Sequence, residues 1–166
     1  MKELLLQYAA YNTWANQQLM AVMNTLPPEK LTAIIPSSFN SLHQTVLHLL
    51  DAESIWWQRL KLQERIDRPS DTFDGNTQEA LQALLQQNTQ WQQWVQDATE
   101  RMLEHVFHYK NSKREQFKQP VYQMLLHLFN HGTYHRGQIV NMLRQLGVEK
   151  LPATDFIVWS RKNGSK

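Results

Sequence analysis

The sequence predicts an all-α fold, a four-helix bundle with a small hairpin between its third and fourth long helices. Three observations predict it. Four stretches of about twenty residues or more carry apolar side chains at three- and four-residue steps. Clusters of turn formers separate those stretches, and only five glycines and six prolines interrupt the 166 residues.

Residues 3–25 carry Leu4, Leu5, Tyr8, Tyr11, Ala15, Leu19, Val22 and Met23 at helical spacing. Pro27 and Pro28 end this first helix, because proline lacks a backbone donor and clashes with the preceding turn. The second helix opens at Ser41, which forms a capping-box pair with Gln44, and runs to about Arg65 on the stripe Leu42, Val46, Leu49, Trp56 and Leu60. DRPSDTFDGN, residues 67–76, reads as a loop. Asn76 and Glu79 repeat the capping signature and open the third helix. Its glutamine-rich sequence is amphipathic rather than low-complexity, since Leu81, Leu84, Trp91, Trp94, Val95 and Ala98 share one face. HVFHYKNSKREQFKQP offers two short runs around an Asn-Ser-Lys turn, which pair as the hairpin. Pro120 suits the first position of the fourth helix and Gly147 its stop.

The length fits one domain, residues 1–166, with a sizeable core. A net charge of +2 is too small to imply a nucleic-acid partner, and the basic clusters Lys110, Lys113, Arg114 and Arg161, Lys162, Lys166 read as solvated loops or ends. The absence of cysteine excludes disulfides, zinc-cysteine sites and a protein thiol nucleophile. The N-terminal stretch lacks a signal-peptide pattern and no run reaches ~18 apolar residues, so the expectation is a cytoplasmic protein without a membrane span.

Histidine has only middling helix propensity, so the run HLFNHGTYHRGQ at 127–138 calls for another explanation. It places His127, His131 and His135 at four-residue steps. Two histidines four apart lie on one face and can grip one ion, but residues eight apart are separated by ~12 Å and cannot. The stripe Val121, Leu125, Leu128, Ile139, Leu143 and Leu146, flanked by Met124 and Met142, puts His131 and His135 at its margin and His127 farther round. His131 with His135 is therefore the inward pair. A third ligand must come from another helix, and His43 and His48 both qualify; their five-residue spacing makes them diverge by roughly 140°, and periodicity does not choose between them. A flank histidine bonded to a neighbouring carbonyl is the competing reading of the pair, and His105 and His108 read as surface residues. A ferritin-like di-iron site needs Glu-x-x-His, a zincin needs His-Glu-x-x-His, and neither is present. Asn12, Glu53, Asn130 and Asp155 are available to orient the ligands, Trp14, Trp56, Trp57 and Trp159 to line a pocket or fill the core, and Arg136 to form an ion pair or receive an anion.

Four ordered segments, YNTWAN (11–16), SLHQTVLHLLDAESIWW (41–57), LLHLFNHGTYHRGQI (125–139) and TDFIVWSR (154–161), resemble the DinB-like (DinB/YfiT) superfamily of bacterial proteins. The resemblance implies a four-helix bundle, often dimeric, that holds a divalent first-row metal ion, zinc or nickel foremost, through three histidines. On matching positions these are His48, His131 and His135. It further implies a metal-dependent S-transferase or related enzyme, whose partners are a small-molecule thiol of the bacillithiol or mycothiol type and an electrophile. Three neutral imidazoles leave the ion's charge uncompensated, which suits holding a thiol as thiolate. The alternatives are a non-catalytic metal-binding stress-response protein and a metal-dependent hydrolase.

Overall fold

The computed structural model describes residues 1–111 and 113–163. In chain order the elements are α1 (Lys2–Met23), α2 (Pro28–Thr32), α3 (Leu42–Leu60), a 3-10 turn at Pro69–Asp71, α4 (Thr77–Asp97), α5 (Glu100–Glu104), β1 (Val106–Lys110), β2 (Gln116–Pro120), α6 (Val121–Gln145) and α7 (Phe156–Asn163). The four long helices form the bundle, and the strands pair antiparallel with Val106 opposite Pro120 and Lys110 opposite Gln116. Of the expected Asn-Ser-Lys turn between them, Ser112 lies outside the described residues, as do residues 164–166 with Lys166.

Side-chain caps set the starts of α3 and α4. At α4 the box is complete: Asn76 Oδ1 accepts from the Glu79 amide at 3.0 Å, and Glu79 Oε2 accepts from the Asn76 amide at 2.8 Å. At α3 Ser41 Oγ accepts from the Gln44 amide at 3.1 Å, but Gln44 Oε1 accepts from Asn40, one residue before the position a reciprocal box requires. Pro120 caps α6 from just outside the helix rather than occupying its first position.

The ends of α3 and α6 share one solution. Beyond α6, the Gly147 and Val148 amides bond back to the Arg144 and Leu143 carbonyls, with Gly147 at φ +85°. Beyond α3, the Leu62 and Gln63 amides bond back to Arg59 and Gln58, with Leu62 in the same left-handed region at φ 54°. This turn stops α3 at Leu60, short of the expected Arg65.

Within the bundle, α1 and α3 each pack against both α4 and α6, so the first two long helices occupy opposite corners. Leu4, expected on the buried stripe of α1, is exposed; Leu5, Ala9, Asn12, Asn16 and Leu19 define the buried face instead. The apolar core falls into two main clusters. One gathers Leu19, Met23, Val46, Leu49, Leu84 and Ile139, the other Leu5, Trp91, Val95, Phe107, Leu128 and Phe129. Between them lies a polar layer drawn from all four long helices. Among the described residues no helix is long and apolar enough to cross a membrane.

Candidate metal centre

His48 lies in the middle of α3, and His131 and His135 lie one turn apart on α6, which packs beside α3. Their Nε2 atoms form a small triangle. His48 is 3.2 Å from His131 and 3.1 Å from His135, and the two α6 nitrogens are 3.0 Å apart. The pair that periodicity placed inward is thus inward, and of the two α3 candidates His48 meets it. His43 turns away, with Nδ1 3.0 Å from Thr77 Oγ1. His127 stays exposed, 5.9 Å from His131 between ring centroids and edge-on to Trp56 at 5.5 Å.

The donor set fits a metal ion. Three nitrogens with edges of 3.0–3.2 Å leave a point about 2 Å from each, just off their plane, which matches a metal–imidazole bond. His135 Nδ1–H donates to Gln138 Oε1 at 2.7 Å, and the Gln138 amide nitrogen donates to Ser38 Oγ at 2.9 Å. That arrangement leaves His135 Nε2 as a bare lone pair facing two further ring nitrogens, which together have too few protons to satisfy one another. A cation relieves this crowding of lone pairs.

Electrostatics keep the imidazoles in the neutral, ligating form. Burial, followed by the neighbouring His135, lowers His48 to about 4 against partial opposition from Asp51. Burial and then His135, His48 and His127 lower His131 to about 4. Burial also lowers His135, opposed by its bond with Gln138. Phe39 stacks on the His48 ring at 4.1 Å, and Tyr134 meets His135 edge-on at 5.0 Å. Beside His48 opens a cavity of about 340 Å³ whose wall includes Phe39, Leu47, Asp51 and Ser70. Asp51 accepts there from the Ser70 amide at 2.8 Å and the Ser70 hydroxyl at 2.5 Å.

The four side chains expected to orient the ligands do not do so. Asn12 and Glu53 bond each other inside the polar layer, Asn130 is exposed, and Asp155 lines a separate cavity beside α7. Gln138 performs that role for His135, and its i,i+3 spacing from His135 was the only signal in the sequence. Of the four tryptophans only Trp56 approaches the histidines; Trp57 packs on Trp91, and Trp14 and Trp159 pack around Tyr11.

Arg136 forms no surface ion pair. It is 2 % exposed, and donates from Nη1 to Asn12 Oδ1 at 2.6 Å and Asn16 Oδ1 at 3.1 Å, and from Nη2 to Thr133 at 2.8 Å. Asn12 and Asn88 in turn donate to the two Glu53 oxygens at 3.3 and 2.6 Å. Asn16 donates to Asn88 Oδ1 at 2.8 Å, so three asparagines stand between a buried guanidinium and a buried carboxyl, Asn12 directly and Asn16 with Asn88 in series, and burial pushes Glu53 up to about 7.

Fold and site together define a helical-bundle protein with a three-histidine cluster on one helix–helix seam. The DinB family model matches residues 1–163, and the chain belongs to the DinB family. It is 30% identical over 155 residues to Protein DinB of Bacillus subtilis (strain 168), covering 88% of this chain and 87% of that one. A DinB-like protein from Bacillus cereus ATCC 10987 superposes with a TM-score of 0.69 at 20% identity, covering 90% of this chain and 94% of that one. YfiT from Bacillus subtilis, described as a probable metal-dependent hydrolase with an unusual four-helix bundle topology, also has a TM-score of 0.69, at 16% identity and 89% and 90% coverage.

Proposed function

We propose that His48, His131 and His135 hold a divalent first-row metal ion, and that the protein is a metal-dependent S-transferase or related enzyme using a low-molecular-weight thiol. The observation that carries this reading is the triangle of Nε2 atoms 3.0–3.2 Å apart in the neutral state. When bound, the ion supplies Lewis-acid charge that three neutral ligands leave uncompensated, which favours a thiol as thiolate near neutral pH.

The chain's own residues prepare the setting. Gln138 holds the proton on His135 Nδ1, so that ring serves as a ligand rather than as an acid or base. Phe39 covers His48 and limits water there, and the adjoining cavity has room for part of a small molecule. Both oxygens of Asp51 are engaged by Ser70, which leaves it as a fixed negative charge toward His48. With no cysteine in the chain, sulfur has to arrive with the cosubstrate.

Elemental analysis of tag-free protein, repeated on His48→Ala and His135→Ala, tests the site: first-row metal should be present in the parent and lost in both variants. Metal-loaded protein should then consume thiol in the presence of electrophiles such as alkyl halides or epoxides. Metal retained in both variants removes the site, and no metal-dependent thiol consumption across a broad panel removes the transferase reading alone. The second reading is a metal-dependent hydrolase, supported by the description of YfiT; ester or amide turnover without thiol would favour it.

A further inference from the structure

A second arginine, Arg59, has a different situation from Arg136. Its guanidinium lies over the Trp56 ring at 4.6 Å and the Tyr109 ring at 5.3 Å, and its Nε is closed off from solvent with no hydrogen-bond partner among the described residues. No carboxylate pairs with it among the described residues either. Burial lowers its pKa, the cost of holding a cation against aromatic rings without a counter-ion. Nε is sealed from the cleft as it is from water, but the two terminal nitrogens are not among the sealed atoms, so an anion in the cleft would meet the outer edge of the guanidinium.

Arg59 lines a cavity of about 440 Å³ between the end of α3 and β1, within the size range of small-molecule sites. Its other charged side chains are Lys110 and Glu64, so with Arg59 two cations face one carboxylate. The apolar part of the wall is Leu62, Ile66 and Tyr109. Leu62 adds an independent observation. It occupies a left-handed turn that α6 fills with Gly147, and its side chain is 71 % exposed beside the cavity. A left-handed leucine costs about 1 kcal/mol and gains no core packing here, so both local stability and solubility would favour glycine. An outlier of this kind at a cavity rim points to a contact made with something else.

We propose that this cleft binds a small amphipathic carboxylate, its head on the Arg59 guanidinium and its apolar body against Leu62, Ile66 and Tyr109. The proposal goes beyond the metal reading and does not depend on it. Tyr109 is shared with a smaller cavity of about 240 Å³ that extends past Trp56 to His127. The carboxylate site therefore lies along a wall of aromatic side chains leading toward the histidine cluster, while its own chemistry is complete without an ion.

Octanoate and its neutral counterpart octanamide, titrated into the isotope-labelled full chain and followed by backbone, indole and arginine-Nε resonances, test the proposal. The titrations are run on protein as purified and after metal removal, because a carboxylate could also approach the histidines. Octanoate should saturably shift Arg59 Nε–H, Leu62 and the Trp56 indole in both preparations and bind at least about tenfold more tightly than octanamide. Arg59→Gln should abolish that preference, and Leu62→Gly should weaken both ligands. Equal affinity for the two, no saturable shift at these residues, or shifts that vanish with the metal would overturn the proposal. So would concentration-dependent self-association that protects the same residues without ligand, which would assign the cleft to a second copy of the chain.

Discussion

Gln138 Oε1 accepts the Nδ1 proton of His135 at 2.7 Å, and this bond decides which ring nitrogen faces the other two histidines. Without it the imidazole is free to flip or to carry its proton on Nε2, where it would block ligation. Gln138→Leu should weaken metal binding by roughly 10–100-fold, measured by competition with a chromophoric chelator. Gln138→Glu, which keeps an acceptor at the same place, should retain most of the affinity. Equal loss in both variants would show that the side chain acts by packing rather than through its oxygen.

Gly132, next to His131 in α6, is buried against the polar layer. A Cβ there would lie 2.8 Å from Asn12 Oδ1 and 3.0 Å from Arg136 Nη1, two atoms that already bond each other at 2.6 Å. Alanine at an exposed helical glycine ordinarily stabilises by about 1 kcal/mol. At this position Gly132→Ala should instead destabilise by about 1–3 kcal/mol in urea unfolding, because neither hydrogen-bonded neighbour can retreat without leaving a buried polar atom unpaired. A gain in stability would mean that the network is looser than its distances state.

How much of this was legible in the sequence follows from the range of each signal. The long helices, the Asn76 cap and the inward His131–His135 pair depend on residues within a turn or two of one another, and periodicity displays such relationships directly. The choice of His48 over His43 depends on how α3 rotates against α6 and α4, where Thr77 engages His43, and only family resemblance anticipated it. Gln138 draws its significance from Ser38, a hundred residues away. The five-residue helices α2 and α5 span less than two turns and carry no readable period. Asn12, Glu53 and Arg136 were each visible as polar residues, but their common layer is formed by helices at opposite corners of the bundle.

Leu62 marks a place where the chain departs from its own best local choice. Leu62→Gly should raise the midpoint of urea unfolding by an amount corresponding to about 1 kcal/mol, since the left-handed turn after α3 then carries no Cβ penalty. Thermal or chemical denaturation measures it at any pH where the protein is stable. A loss of stability would show that the exposed side chain packs in solution and would also remove one support for the carboxylate cleft.

Glu53 gives the buried layer a pH dependence of unusual sign. Its folded-state value of about 7 lies above the 4.5 of an unperturbed glutamate, chiefly through burial. Between these values the folded state binds more protons than the unfolded state, so this group's contribution to stability falls as pH rises from about 4.5 to 7 and then levels off. His48 and His131, lowered to about 4 from 6.5, act in the opposite direction across much of the same range in the metal-free protein. The two effects are separated by difference. Relative to the parent, Glu53→Gln should gain stability progressively from pH 4.5 to 7, by about 3 kcal/mol across the window, and stay constant above it. The absolute offset between the two also includes the cost of turning one proton of the introduced amide toward the Asn88 donor, so the slope is the diagnostic quantity. Urea unfolding of both proteins in chelator at half-unit pH intervals supplies it. Parallel stability curves would mean that Glu53 stays ionised in the fold, held by Asn12, Asn88 and the charge of Arg136.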